Sequence, residues 1–137
     1  MRVRELQKVP KSRIGRVEQQ GVFLEPHEAS TILHLTQFGF NIEVIKPTNA
    51  NRAKSADIFM LGATWEIKSP TTSNLATIKA DFRKARSQAD RIIFDLRRTR
   101  KNVDSVEKQV ITIFKERGSV RRLIIIKKNG KAIDYIK

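Results

Sequence analysis

The sequence predicts an α/β (α+β) fold, with one mixed β-sheet core flanked by helices. Two observations predict it. Apolar residues recur at helical spacing in three stretches and in short β-type runs in six. These stretches follow one another in the order αβββαβαββ, which favours a sheet covered by helices. The 137 residues fit one domain, and the 39% apolar content comes in periodic blocks that can form a core. Residues 1–20 are polar and basic with weak periodicity, so they are expected as an arm that is partly ordered at best. Residues 21–137 are expected as the single folded domain.

The first helix opens at Pro26, with Glu25 as its cap and an apolar stripe of Ala29, Ile32, Leu33 and Phe38. Gly39 ends it. Asn41 to Ile45 alternates as a strand, and 46–54 reads as a loop of Pro, Asn and basic residues. Asp57 to Met60 and Thr64 to Lys68 form the arms of a hairpin whose turn is marked by Gly62. After the polar loop 69–74, Leu75 to Ala89 is helical, with Ile78, Phe82 and Ala85 on one face. Arg91 to Leu96 is a short buried strand. Val103 to Arg117 is the last helix, with Val103, Val106, Val110 and Phe114 inward and Gly118 as its stop. Leu123 to Ile126 and Ala132 to Ile136 are strands joined through Asn129-Gly130, a two-residue hairpin signal.

Charge narrows the function. The net charge is +14, and it is uneven: residues 1–78 carry 10 basic and 7 acidic residues, residues 79–137 carry 18 and 7. Such a field attracts polyanions, so nucleic acid is the expected partner. A basic surface serving only solubility is the plainer alternative. No segment pairs a basic face with an exposed apolar one, so no membrane partner is expected. The chain has no cysteine, which excludes disulfides, thiolate metal sites and a Cys nucleophile. Its two histidines, His27 and His34, cannot build a zinc site unaided. No run of transmembrane length or signal-peptide core is visible, and a cytoplasmic protein is the expectation.

The chemistry concentrates in the hairpin. Strand residues two apart share a face, so Glu66 and Lys68 point together and Ile67 points to the other side. Asp57 returns to them across the turn. Two adjacent carboxylates repel one another, and a divalent cation relieves that repulsion. Hard oxygen ligands indicate Mg²⁺ or Mn²⁺ rather than zinc. A cation there can acidify a bound water and polarise a phosphoryl oxygen, while the lysine stabilises developing charge. The simpler reading of the same residues is a cross-strand salt bridge on a surface hairpin.

Neighbouring segments supply substrate candidates. Ser69, Thr72 and Ser73 follow Lys68 in a loop whose hydroxyls and amides can hold phosphates. Arg97 and Arg98 follow a strand end, a common place for phosphate contacts. Asp95, inside a buried run, calls for an arginine partner. His27 and His34 would suit a metal-free general base, but their isolation favours packing or surface roles.

The string D-x(8)-E-x-K in its αβββαβ setting resembles the PD-(D/E)XK nuclease superfamily. The blocks SADIFMLGATWEIKSP, SQADRIIFDLRR and RRLIIIKKNGK resemble its branch of toxin nuclease domains. Those domains lie at the C-termini of contact-dependent growth inhibition proteins, and several cleave transfer RNA. The resemblance runs from about Glu25 to the C-terminus. It implies a restriction-endonuclease-like core, metal binding by Asp57 and Glu66, and a catalytic role for Lys68. It implies a further carboxylate on the first helix, best matched by Glu28, with Glu25 as runner-up. It also implies that Lys79, Arg83 and Gln88, on the helix after the loop, reach substrate. Ala56 stands where the superfamily often has Pro.

The expected function is therefore a metal-dependent endonuclease hydrolysing phosphodiester bonds. RNA, and transfer RNA first, is favoured on the resemblance, with a DNA endonuclease of the same fold as the alternative. A non-catalytic nucleic-acid-binding protein is the competing class. If the chain is a toxin domain, the resemblance implies a cognate immunity protein and delivery to a target-cell cytoplasm. The oligomeric state is not legible.

Overall fold

A computed structural model describes residues 1–47 and 56–137. In chain order the elements are β1 (Arg2–Glu5), a 3₁₀ turn (Lys11–Arg13), β2 (Val17–Glu18), α1 (Pro26–Thr36), β3 (Ile42–Val44), β4 (Ile58–Met60), β5 (Ala63–Lys68), α2 (Leu75–Gln88), β6 (Arg91–Asp95), α3 (Val103–Glu116), β7 (Arg122–Ile126) and β8 (Ala132–Ile136). The strands form one mixed eight-stranded sheet in the order β1-β8-β7-β6-β5-β4-β3-β2. Strands β5, β6 and β7 run parallel at its centre, and antiparallel hairpins extend it on both sides.

From α1 onward this is the expected αβββαβαββ order. The first twenty residues differ from the expected arm, because they supply both edge strands. β1 pairs antiparallel with β8, and β2 pairs parallel with β3. Apolar periodicity missed β1 because all four of its residues are exposed. Backbone pairing holds it, Arg4 reaches the buried Asp134 at 3.2 Å, and Leu6 anchors its end in the core. Of the loop expected over 46–54, residues 48–54 lie outside the described residues.

The central strands are buried on both faces, as covered parallel strands must be. On one face α1 sets Ile32 and Leu35, and the turn after it sets Phe38, against Trp65, Ile93, Ile124 and Ile126. On the other, α2 and α3 set Ile78, Phe82, Val106, Val110 and Phe114 against Ile92, Phe94, Leu123 and Ile125. Each such large side chain contributes about 1.5–3 kcal/mol of burial free energy, which sets the two helical layers.

Two turns refine the expected hairpins. Between β4 and β5 the turn is Leu61-Gly62, with φ of 55° and 74°, the left-handed pair that matches strand twist. Between β7 and β8 the loop is longer than two residues. Lys127 and Lys131 still bond at 2.7 Å, leaving three residues between them, with Gly130 at φ 89°.

Candidate active site at the open end of the β4–β5 hairpin

Ile58 pairs with Trp65, so the next position outward sets Asp57 against Glu66. Asp57 is clamped there. Its amide donates to Trp65 O at 3.0 Å, and its Oδ2 accepts from the Ile67 amide at 2.8 Å. Glu66 is 4% exposed, and Lys68 Nζ lies 3.5 Å from its Oε2. Among the described residues no donor reaches the buried Oε1 of Glu66. Burial pushes the Glu66 carboxyl up to about 8; Asp57 adds to the rise by charge and hydrogen bonding, and Lys68 opposes it. At neutral pH Glu66 therefore retains its proton.

The hairpin end opens into a cleft of two lobes. The polar lobe, about 320 Å³, is lined by His27, Glu28, Asp57, Glu66, Ile67, Lys68, Ser69 and Asp81. The second lobe, about 220 Å³, is lined mostly by apolar residues, among them Val22, Phe23, Leu24, Ile32, Val44, Ile45 and Pro47, while the carboxylates and Gln88 keep its exposed surface polar. Glu28, Asp57, Glu66 and Ile67 line both.

The two carboxylates and the lysine thus meet in space. Glu28 reaches the cleft wall from the first turn of α1, but its Oε1 accepts from the Glu25 amide at 3.0 Å in a capping box. Glu25 is the N-cap itself. Ser69 lines the cleft and its Oγ accepts from Arg98 Nε at 3.1 Å, while Arg98 Nη2 donates to Ser69 O at 2.8 Å. Thr72 Oγ1 accepts from the Asn74 amide, which leads into the Asn74 cap of α2. Ser73 is half-buried in the same loop. Arg97 is engaged elsewhere: its guanidinium holds the buried Asp95 at 2.7 Å and also reaches Ser30. Lys79 and Arg83 are exposed on α2, and Lys79 lines a separate groove between α2 and α3. Gln88, at the end of α2, lines the second lobe.

Two cleft residues fall outside the site expected from sequence. Asp81 enters from α2, where burial raises its pKa against the pull of Lys68 and Lys84. A lone acid beside the inward Phe82 on an otherwise basic helix was the available signal. His27 enters from the first turn of α1, whereas His34 packs away. The His34 ring is 8% exposed, edge-on to Phe38, and its Nε2 bonds Gly130 O at 2.7 Å.

A divalent cation fits this chemistry. Among the described residues Glu66 Oε1 is buried without a donor and Lys68 approaches only Oε2, so with Asp57 it offers hard oxygen ligands to a cation that displaces the Glu66 proton. Mg²⁺ commonly takes one or two carboxylates and completes its shell with water. No group of three or more His, Cys, Asp or Glu side chains suited to a metal occurs among the described residues.

Fold and site define an α+β domain carrying a carboxylate pair and a lysine at one end of its sheet. Residues 54–132 match the family model of the contact-dependent growth inhibition CdiA C-terminal domain, and the chain belongs to that family. A solved structure, the CdiA-CT/CdiI toxin and immunity complex from Burkholderia pseudomallei, has a similar fold. Its TM-score is 0.68 at 16% identity, covering 90% of this chain and 100% of that one. No curated protein sequence matches. Among the described residues no helix is long and apolar enough to cross a membrane.

Proposed function

We propose that this chain is a nuclease toxin domain of the PD-(D/E)XK type, a metal-dependent endonuclease acting on RNA. The observation that carries the reading is the Asp57–Glu66–Lys68 convergence, in which a buried carboxylate oxygen lacks a donor and an ammonium stands 3.5 Å from its partner oxygen. Asp57 and Glu66 would hold Mg²⁺ or Mn²⁺, which when bound polarises a phosphoryl oxygen and acidifies a water. Asp57 is positioned for this by the Ile67 amide. Glu66 gives up the proton it carries at neutral pH. Lys68 lends positive charge to the phosphorane-like transition state, and Ser69 and Arg98 stand at the cleft lip where phosphates would pass.

The +14 charge supports a polyanionic substrate. RNA is favoured over DNA, with transfer RNA first, on the resemblance of the WEIKSP and RRLIIIKK blocks alone. By the same reasoning the chain would act in a target-cell cytoplasm. A cognate immunity protein would neutralise it, since the Burkholderia pseudomallei domain of similar fold is a toxin in complex with an immunity protein. The Glu66–Lys68 contact is also what a non-catalytic binder would show, so the test must separate the two. Labelled RNA and DNA are incubated with the protein in Mg²⁺ and in EDTA. RNA cutting in Mg²⁺, none in EDTA, and a loss of at least about 10²-fold in Asp57→Ala and Lys68→Ala is expected. Salt-sensitive binding without cutting would assign the chain to the binding class instead.

A further inference from the structure

We infer that the second lobe of the cleft is a nucleobase subsite, in which one unpaired base of the RNA strand stacks on Phe23. This rests on the nuclease reading and adds where, and in what form, the strand enters. Phe23 is 79% exposed, more than any other large hydrophobic side chain among the described residues. Its neighbours Val22 and Leu24 pack against the α1-side core. The turn before it is pinned by two bonds, Val22 N to Gln19 O at 3.1 Å and Gln19 Nε2 to Val22 O at 2.8 Å. An anchored backbone thus holds a large ring at the cleft mouth and forgoes its burial, about 1.5–3 kcal/mol.

The lobe is continuous with the carboxylates, since Glu28, Asp57, Glu66 and Ile67 line both parts. A flat apolar ligand seated beside Phe23 would therefore carry its attached phosphate toward Asp57 and Glu66. The basic chain supplies the backbone attraction, and a slot that combines apolar walls with polar side chains suits a base, which has an apolar face and hydrogen-bonding edges. Bases stack on exposed aromatic rings only when unpaired, so the subsite selects loops, bulges and ends over duplex.

The test uses the full chain in EDTA, where cutting is off, and reads fluorescence anisotropy with an RNA single strand and with the same sequence as duplex. Phe23→Ala should weaken single-strand binding by about 10- to 100-fold and leave duplex binding unchanged. Phe23→Trp should restore it. Phe59→Ala, which removes another exposed ring from a groove at the hairpin tip, should have no effect. Wild-type affinity in Phe23→Ala overturns the inference, and so does equal loss on both substrates. A dimer that Phe23→Ala dissociates, with RNA binding intact, would assign the ring to a contact between copies and overturns it too. Where wild type cuts RNA and Phe23→Ala binds normally, this inference alone fails. Where wild type neither binds nor cuts RNA, the nuclease reading fails with it.

Discussion

At the scale of single residues, Glu66 is where burial and function conflict. Its carboxyl titrates near 8 because β5 carries it under the helical layer and Asp57 faces it. The folded state therefore binds a proton that the unfolded chain releases near 4.5, so Glu66 favours folding below that value. That contribution is lost as pH rises through about 8. Thermal melts from pH 5 to 9 should show this alkaline decline, and Glu66→Gln should flatten it. Mn²⁺ should raise the melting temperature more at pH 8 than at pH 5, because a cation must displace the proton. An equal Mn²⁺ effect at both pH values would count against the pair as ligands. Gly15 is fixed by close backbone approach instead. A Cβ there would fall 1.7 Å from Phe40 O, against backbone that cannot step aside. Gly15→Ala should cost about 1–3 kcal/mol in urea melts and loosen the β2 segment.

At the scale of elements, the cleft depends on how α1 is fixed to the sheet. Asp95, at the end of β6, takes hydrogen bonds from Thr31 on α1 and from Arg97, whose Nη2 also reaches Ser30 Oγ. Burial works to raise the Asp95 pKa, but the Arg97 and Thr31 hydrogen bonds outweigh it and hold the carboxyl below its usual range. Thr31 Oγ1 also bonds His27 O at 3.1 Å, one turn from the cleft. Thr31→Val should destabilise the fold by about 1–3 kcal/mol and lower activity beyond what the lost stability explains. Urea denaturation and RNA cutting, measured together, check both effects. The hairpin makes a converse prediction. Leu61 holds a left-handed φ of 55° with its side chain 48% exposed, and Asn suits that position better. Leu61→Asn should keep or slightly raise the melting temperature.

At the scale of the whole molecule, the surplus charge should appear as salt dependence. A protein that neutralises six or more phosphates loses roughly 10³-fold in affinity between 50 and 200 mM salt. The loop with Arg98, Arg100 and Lys101 is built into that surface. Thr99 Oγ1 bonds Pro70 O, and Lys128 Nζ caps Arg97 O and Thr99 O. Arg100 and Lys101 are exposed in that loop. The double change Arg100→Glu and Lys101→Glu should reduce the salt slope by about two and leave the melting temperature unchanged. An unaltered slope in anisotropy titrations would place the RNA on another face.

Periodicity alone determined the helices and strands from Pro26 onward, because buried faces must repeat every 3.6 or 2 residues. It also placed Asp57, Glu66 and Lys68 together, since a tight hairpin makes neighbours of residues close in the chain. The Asp95–arginine pairing was legible too, because a buried carboxylate requires a partner. Tertiary structure alone decided the rest. β1 and β2 are edge strands held by backbone pairing, which leaves no apolar signature. Asp81, His27 and Phe23 reach the cleft from three separate segments, α2, α1 and the stretch before α1. Arg97 turned to Asp95 while Arg98 turned to the cleft lip. Contacts between segments distant in the chain depend on how the layers pack, and local pattern does not encode that packing.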